Sequence, residues 1–482
     1  MTTRPAVCQS LICLTLVAAG CGHGPLPRAG GVSGQPEVVQ DARDELDASA
    51  MDMPGAVETA ALPADVSEGA IVVHASHATL IPPPLSVDVS ATDGGVDVTK
   101  DCAWTAVPND VCQLLGKYAV RKVGDGTCVV TCSLPNGKWG AKALVAKKQS
   151  VIYGFGGIVL AEYYYLARRV TRFRVADNDW DDNVTTLPFP DAGMAPANFW
   201  IGATAIDAGG SILLVGGEQK VWPDYGDTPY PADYCPGVDP VTADKQNGCG
   251  LIWRFDLASG EWSAVGKLAK NRYNALSVNL GDHAYIVGGI SPLDPGGVPA
   301  PFALRVSLPD GKVTPLSAKP PASGTWLASL VPWKGGALGL QNGQPGTTFW
   351  IKPDDTFELV DLGVPKATVY FSVPGVSADL YEQESGDPAS VPCAVPRVPG
   401  DVGPVSFRRL EAGVWSKPLA GTCLHGAWEF VRGPDAEYIL SAEGWGDGSV
   451  RRLAPPGDTW QELGKTADPT PRLTGAVVVV EQ

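Results

Sequence analysis

The chain has 482 residues, 57 of them Gly and 43 Pro, with 44% hydrophobic residues and 14 Trp. That composition supports a sizeable core, arranged as one large domain with extensions, and falls short of the Gly and Pro content of a disordered chain. No apolar run reaches the roughly 20 residues of a membrane-spanning helix. With 36 Lys and Arg against 52 Asp and Glu, the net charge of −16 repels nucleic acid.

Residues 1–21 read as a signal peptide: Arg4 gives a positive start, Leu11 to Ala19 an apolar stretch, and Ala18-Ala19-Gly20 lead to Cys21. The segment resembles the bacterial lipobox, in which the chain is cut before a cysteine that carries a lipid. Ala18 stands where that pattern has Leu, and Leu16 falls two residues early. The resemblance implies lipidation of Cys21, and Gly22 after it implies sorting to an outer membrane; an ordinary periplasmic or secreted export signal is the alternative. Residues 22–100 are expected to be an acidic, disordered tether. Between Pro36 and Ala70 nine acids face Arg43 alone, with no aromatic residue. His74 and His77, near its end, are expected to be solvated.

Beyond the signal, eight cysteines remain: Cys102, Cys112, Cys128, Cys132, Cys235, Cys249, Cys393 and Cys423. An even number in an exported chain reads as disulfides. Cys235 with Cys249 and Cys393 with Cys423 are the isolated pairs, while the four around 102–132 allow three pairings. No C-x2-C knuckle occurs, so no metal site is expected.

Three stretches share a template: Ala143-LVAKKQSVIYGF-Gly156-Gly157, Ala203-TAIDAGGSILLV-Gly216-Gly217 and Ala275-LSVNLGDHAYIV-Gly288-Gly289. Each reads as a strand, a tight turn and a second strand ending in a glycine doublet. A second template is a hairpin turn leading to a large residue: Leu134 to Trp139, Val175 to Trp180, Leu257 to Trp262, Leu308 to Val313, Ile351 to Phe357, Leu410 to Trp415 and Leu453 to Trp460. Repeats at this spacing, with four short strands per unit, mark a β-propeller.

The run from Trp253 to Gly289 resembles the kelch repeat, and the resemblance extends over roughly 126–482, with weaker doublets in the second half. It implies an all-β, kelch-like propeller in 101–482, with 101–125 as a disulfide-bearing lead-in. Seven blades are expected, closed by pairing Arg472–Glu481 with Thr127–Leu134 and Lys138–Leu144. Six is the alternative, with 102–142 a separate disulfide-bonded knot.

In such a fold the second-to-third-strand loops share one face. There lie Tyr163, Tyr164 and Tyr165, then an insertion to Gly250 with Trp222, Tyr225, Tyr230 and Tyr234, and then a Pro-Gly loop after Gly289. These aromatics are the candidate ligand-binding residues, suited to a glycan or protein partner; the competing readings are that the tyrosine run continues a strand and that the insertion has its own small core. No S-x-D-x-G-x-x-W box, G-x-S-x-G elbow, P-loop or H-E-x-x-H is present. The expectation is therefore a non-catalytic binding protein without cofactor, touching the membrane only through its lipid. The alternatives are a carbohydrate-active propeller with Glu162 and Glu218 as an acid pair, and a surface scaffold without a ligand.

Overall fold

The computed structural model describes residues 71–482 apart from 81–85, 157, 161–163, 167–168, 189–197, 222–249, 270–271, 292–301, 322–326, 342–347, 364–369, 374–379, 386–403, 418, 424–427, 442–448, 456, 458, 466–471 and 474–475. Cys21 and the acidic run 36–70 lie outside the described residues. The described part of the chain is all-β.

Residues 71–146 form two facing sheets. One orders Val72–Ala75, Ser86–Asp93, Ala119–Lys122 and Cys112–Leu115, with Val96–Asp97 added at the side. The other orders Thr79–Leu80, Trp139–Ala146, Gly126–Ser133 and Ala103–Val107. Alternation along Ser86–Asp93 turns Val87, Val89 and Ala91 inward; Val87 and Val89 share a cluster with Val130, Leu144 and Ala146 of the facing sheet, and Ala91 shares one with Cys132. Lettered along the chain as A, A′, B to G, the sheets are A-B-E-D and A′-G-F-C, the order of an immunoglobulin-type sandwich. Two disulfides staple it: Cys102–Cys132, with Cα atoms 5.1 Å apart, and Cys112–Cys128, at 5.9 Å. This selects one of the three pairings left open.

Three expectations change here. The end of the expected tether carries the strands Val72–Ala75, Thr79–Leu80, Ser86–Asp93 and Val96–Asp97. The expected lead-in, 101–125, is the middle of the sandwich. Residues 126–146, expected within the propeller, are its last hairpin. An acidic composition upstream concealed the first strands, because Val72–Ala75 and Ser86–Asp93 are short and bury only alternate residues.

Among the described residues, the rest forms six larger antiparallel sheets, five of four strands and one of five, and a small three-stranded sheet. Sheet 1 orders Ala476–Glu481, Ser150–Phe155, Arg169–Arg174 and Asp179–Thr186. Sheet 2 orders Asn198–Asp207, Ser211–Val221, Leu251–Asp256 and Trp262–Lys267; sheet 3 orders Tyr273–Asn279, His283–Ile290, Ala303–Ser307 and Val313–Pro315. Sheet 4 orders Leu327–Trp333, Gly336–Gln341, Thr348–Ile351 and Phe357–Val360. Sheet 5 orders Tyr370–Phe371, Leu380–Ser385, Pro404–Glu411 and Val414–Trp415, with Leu419–Cys423 also on Pro404–Glu411. Sheet 6 orders Trp428–Arg432, Glu437–Ser441, Ser449–Leu453 and Gln461–Lys465.

The C-terminal strand corrects the expected closure. Ala476–Glu481 pairs with Ser150–Phe155, Tyr153 lying opposite Val478, rather than with Thr127–Leu144. The apolar run Ala143–Ala146 that begins the first template belongs to the sandwich. The true first strand for Ser150–Phe155 comes from the far end of the chain.

Each sheet shares an apolar cluster with the next. Sheets 1 and 2 meet through Tyr153, Phe155, Val478, Leu214 and Phe255, sheets 2 and 3 through Leu213, Ile252, Ala284 and Ile286. Tyr285 and Phe349 link sheets 3 and 4; Trp333, Leu338 and Leu380 link sheets 4 and 5. Phe407 and Ile439 join sheets 5 and 6, and Tyr438, Val450, Ile152 and Val479 join sheet 6 to sheet 1.

The second template reports on these clusters. Six of its seven hairpins join the third and fourth strands of the six sheets, and each final residue (Trp180, Trp262, Val313, Phe357, Trp415, Trp460) packs into the cluster shared with the preceding sheet. Trp262 Nε1 donates to the Thr186 carbonyl of sheet 1 at 3.0 Å, and Trp415 Nε1 to the Leu362 carbonyl beyond sheet 4 at 2.9 Å. The turns need a left-handed residue, which Gly260 and Gly311 supply (φ +73° and +69°). The seventh hairpin, Leu134 to Trp139, joins strands F and G of the sandwich, and its Trp139 is 52% exposed.

Candidate functional site

In every sheet the chain leaves the second strand at the end where the first strand begins. Gly216-Gly217 and Gly288-Gly289 lie in the second half of the second strands Ser211–Val221 and His283–Ile290, toward that end. Gly216 and Gly217 (φ +69° and +92°) meet the start of the next sheet so closely that a Cβ on Gly216 would lie 2.2 Å from the Arg272 carbonyl oxygen. That carbonyl accepts from Gly217 N at 2.7 Å. No side chain fits there, which is the physical reason for the doublet.

Arg272 is the residue at this end that sequence reasoning missed. It is buried, its guanidinium lies 4.1 Å from the centroid of the Phe302 ring, and its NH1 donates to the Gly289 carbonyl at 3.0 Å. Its backbone thus clasps the doublet of sheet 2, while its side chain clasps the doublet of sheet 3. The roots of the 222–249 insertion and of the 292–301 connection are held by one arginine. Nothing in the run Lys270-Asn271-Arg272-Tyr273 separates this arginine from a solvated one.

Of the predicted binding residues, Tyr164 and Tyr165 lie in strand Tyr164–Leu166, which pairs with Ile158–Leu160 and through it with Arg472–Leu473. This small sheet continues sheet 1 beyond the doublet end, so the backbone there is strand. Tyr163, Trp222, Tyr225, Tyr230 and Tyr234 lie outside the described residues, as do Cys235, Cys249, Cys393 and Glu162. Glu218 stands in strand Ser211–Val221 opposite Ile201. Cys423 ends its strand opposite Pro404.

The opposite end carries short turns and self-contained polar groups. Tyr285 donates to Asp355 at 2.5 Å, tying sheet 3 to the turn of sheet 4, and Arg305 pairs with Asp355 at 3.1 Å. Burial first, then the bond to Asp355, pushes the Tyr285 hydroxyl above its ordinary range. His283 Nδ1 faces Asp282 at 2.5 Å. Between sheets 5 and 6, Glu437 is fully enclosed, and burial pushes its carboxyl up to about 8 against the opposing pull of Arg432. Arg432 itself bonds to Ser372. The Tyr285, Arg305 and Arg432 contacts join neighbouring sheets. Among the described residues no group of three or more His, Cys, Asp or Glu side chains is placed to hold a metal ion.

No protein-family model matches the chain, and no curated protein matches it.

Proposed function

We propose that the six sheets are blades of a six-bladed, kelch-like β-propeller carried on the sandwich, and that its doublet end is a non-catalytic binding face for a protein or glycan. The supporting observation is the run of six inter-sheet clusters, in which sheet 6 packs on sheet 1 and the C-terminal strand lies in sheet 1. A ring of this kind leaves only the short outer strand of each sheet as an edge. It directs all second-to-third-strand connections to one end, where Arg272 and the doublets fix two of their roots. Six blades fit better than seven because the extra hairpin belongs to the sandwich.

The two disulfides favour an oxidising, exported setting. In this reading a lipid on Cys21 holds the protein to an outer membrane, and the aromatic residues of 163–165 and 222–234 supply the contacts. The test is a glycan and peptide array probed with the full chain and with a variant carrying Trp222→Ala, Tyr225→Ala, Tyr230→Ala and Tyr234→Ala. A ligand captured by the native chain and lost in a variant of unchanged melting temperature supports the reading. Equal capture by both removes this face. Palmitate labelling that survives Cys21→Ser removes the anchor.

A further inference from the structure

We infer that the sandwich is a fixed strut: it and sheet 1 move as one body, joined at two points rather than hinged where the chain crosses between them. The first point is the crossing itself, Lys147 to Gln149. There Gln149 and Gln482 extend the sheet 1 ladder with reciprocal backbone bonds of 2.7 and 3.0 Å. One such crossing would permit rotation.

The second point lies about 70 residues away in sequence and removes that freedom. Segment Ser76–Thr79 of the sandwich reaches the third and fourth strands of sheet 1. The Thr79 hydroxyl donates to Asp177 and accepts from Gln149 Nε2 at 3.2 Å. Arg174, its side chain 2% exposed, donates to the Thr79 carbonyl at 2.8 Å and pairs with Asp177 at 3.2 Å. His77 lies 3.6 Å from Asp179 and 3.3 Å from Asp181, and Asp181 is bound by Arg172. Burial raises the Asp181 carboxyl, but hydrogen bonding to His77 and the Arg172 charge outweigh it and hold the group well below the usual carboxylate range.

This second point cannot slacken from the sandwich side. Leu80, next to Thr79, is 1% exposed in the sandwich core, and Thr79–Leu80 pairs with Val145 and Ala146. Nor can it open by degrees. Lifting Thr79 takes one hydrogen bond from Arg174 and one from Asp177, whose ion pair stays within sheet 1, and a hydrogen bond left unmade at an enclosed charged group is costly. The expected behaviour is a junction that is either shut or lost as a unit. This inference holds whatever the ligand is, so its failure and that of the binding face are separate outcomes.

Trypsin reads it directly, because Lys147 and Lys148 in the crossing are exposed. On the full chain, cleavage after Lys147 or Lys148 is expected to be slow compared with a free peptide of the same sequence. The Thr79→Val, Asp177→Asn variant should be cut about tenfold faster with both disulfides intact, and small-angle scattering should show a broader distance distribution. His77→Ala, a milder change, should fall between the two and keeps the test decisive if the double variant does not fold. Native cleavage at the peptide rate, or variants cut at the native rate, would overturn the strut.

Discussion

Two hairpins with the same turn chemistry, Leu134 to Trp139 in the sandwich and Leu257 to Trp262 in sheet 2, end in different environments. Trp262 enters the cluster of sheets 1 and 2, lies 6.0 Å from Phe155 centroid to centroid, and donates to the Thr186 carbonyl. Trp139 is half exposed. The sandwich is closed within itself, since its two sheets face each other and two disulfides bind them. A single sheet of the other six cannot bury both faces and completes its core only with its neighbours. An aromatic residue after the turn is therefore the mark of a sheet that needs a neighbour only when it is buried.

Substitutions can break this contrast. Phe407→Ala, in the cluster of sheets 5 and 6 against Phe371, Phe430 and Trp460, should cost about 3–5 kcal/mol in urea unfolding. That loss should appear in the transition of the six sheets while the sandwich disulfides stay intact. Replacing Cys112 and Cys128 by Ala should cost about 2–4 kcal/mol, confined to the sandwich. Hydrogen exchange that rises in Ser86–Asp93 and Ala119–Lys122 but not in sheet 3 is the expected signature. Equal loosening of both regions would mean that the sandwich is not closed within itself.

Smaller effects sharpen it. Trp262→Phe keeps an aromatic ring but loses the bond to Thr186 and part of the indole's packing, for about 1 kcal/mol or more, whereas Trp139→Phe should fall within about 0.5 kcal/mol of the native chain. Comparable costs at the two positions would contradict the distinction. Glu437→Gln isolates one buried charge between sheets 5 and 6. The carboxyl is raised in the folded chain from its ordinary 4.5 to about 8, so the folded state holds the proton more tightly. Native stability should then fall as pH rises from 4.5 through 8. The variant should lack that fall and melt higher than the native chain at pH 9, with the gap closing near pH 4.5. Parallel melting curves would show that Glu437 is not enclosed.

Much of the architecture was legible in the sequence, and the errors have identifiable causes. Alternation and turn residues gave the strands and hairpins of sheets 2 and 3, and the doublets there proved to be contact points with Arg272 and near Leu327. The extra blade came from Leu134-P-N-G-K-Trp139, where hairpin chemistry is local and does not say what the aromatic ring packs against. The misplaced closure came from Ala143–Ala146, an apolar run at the expected spacing from Ser150–Phe155. Only long-range pairing separates it from Ala476–Val480. The even cysteine count pointed to disulfides, but not to the nesting of 112–128 within 102–132. At the candidate site, the position of the doublets was legible; the double clasp of Arg272 was not, because burial of an arginine depends on Phe302 and Gly289, residues well along the chain from it.

The most direct test of the six-sheet arrangement is hydrogen exchange of the C-terminal peptide covering Ala476–Glu481. If this strand is the first strand of sheet 1, its amides should be protected to the same degree as those of Ser150–Phe155 and be released with them in one global opening. Rapid exchange of the C-terminal peptide while Ser150–Phe155 stays protected would contradict the account, as would protection that tracks Trp139–Ala146 instead.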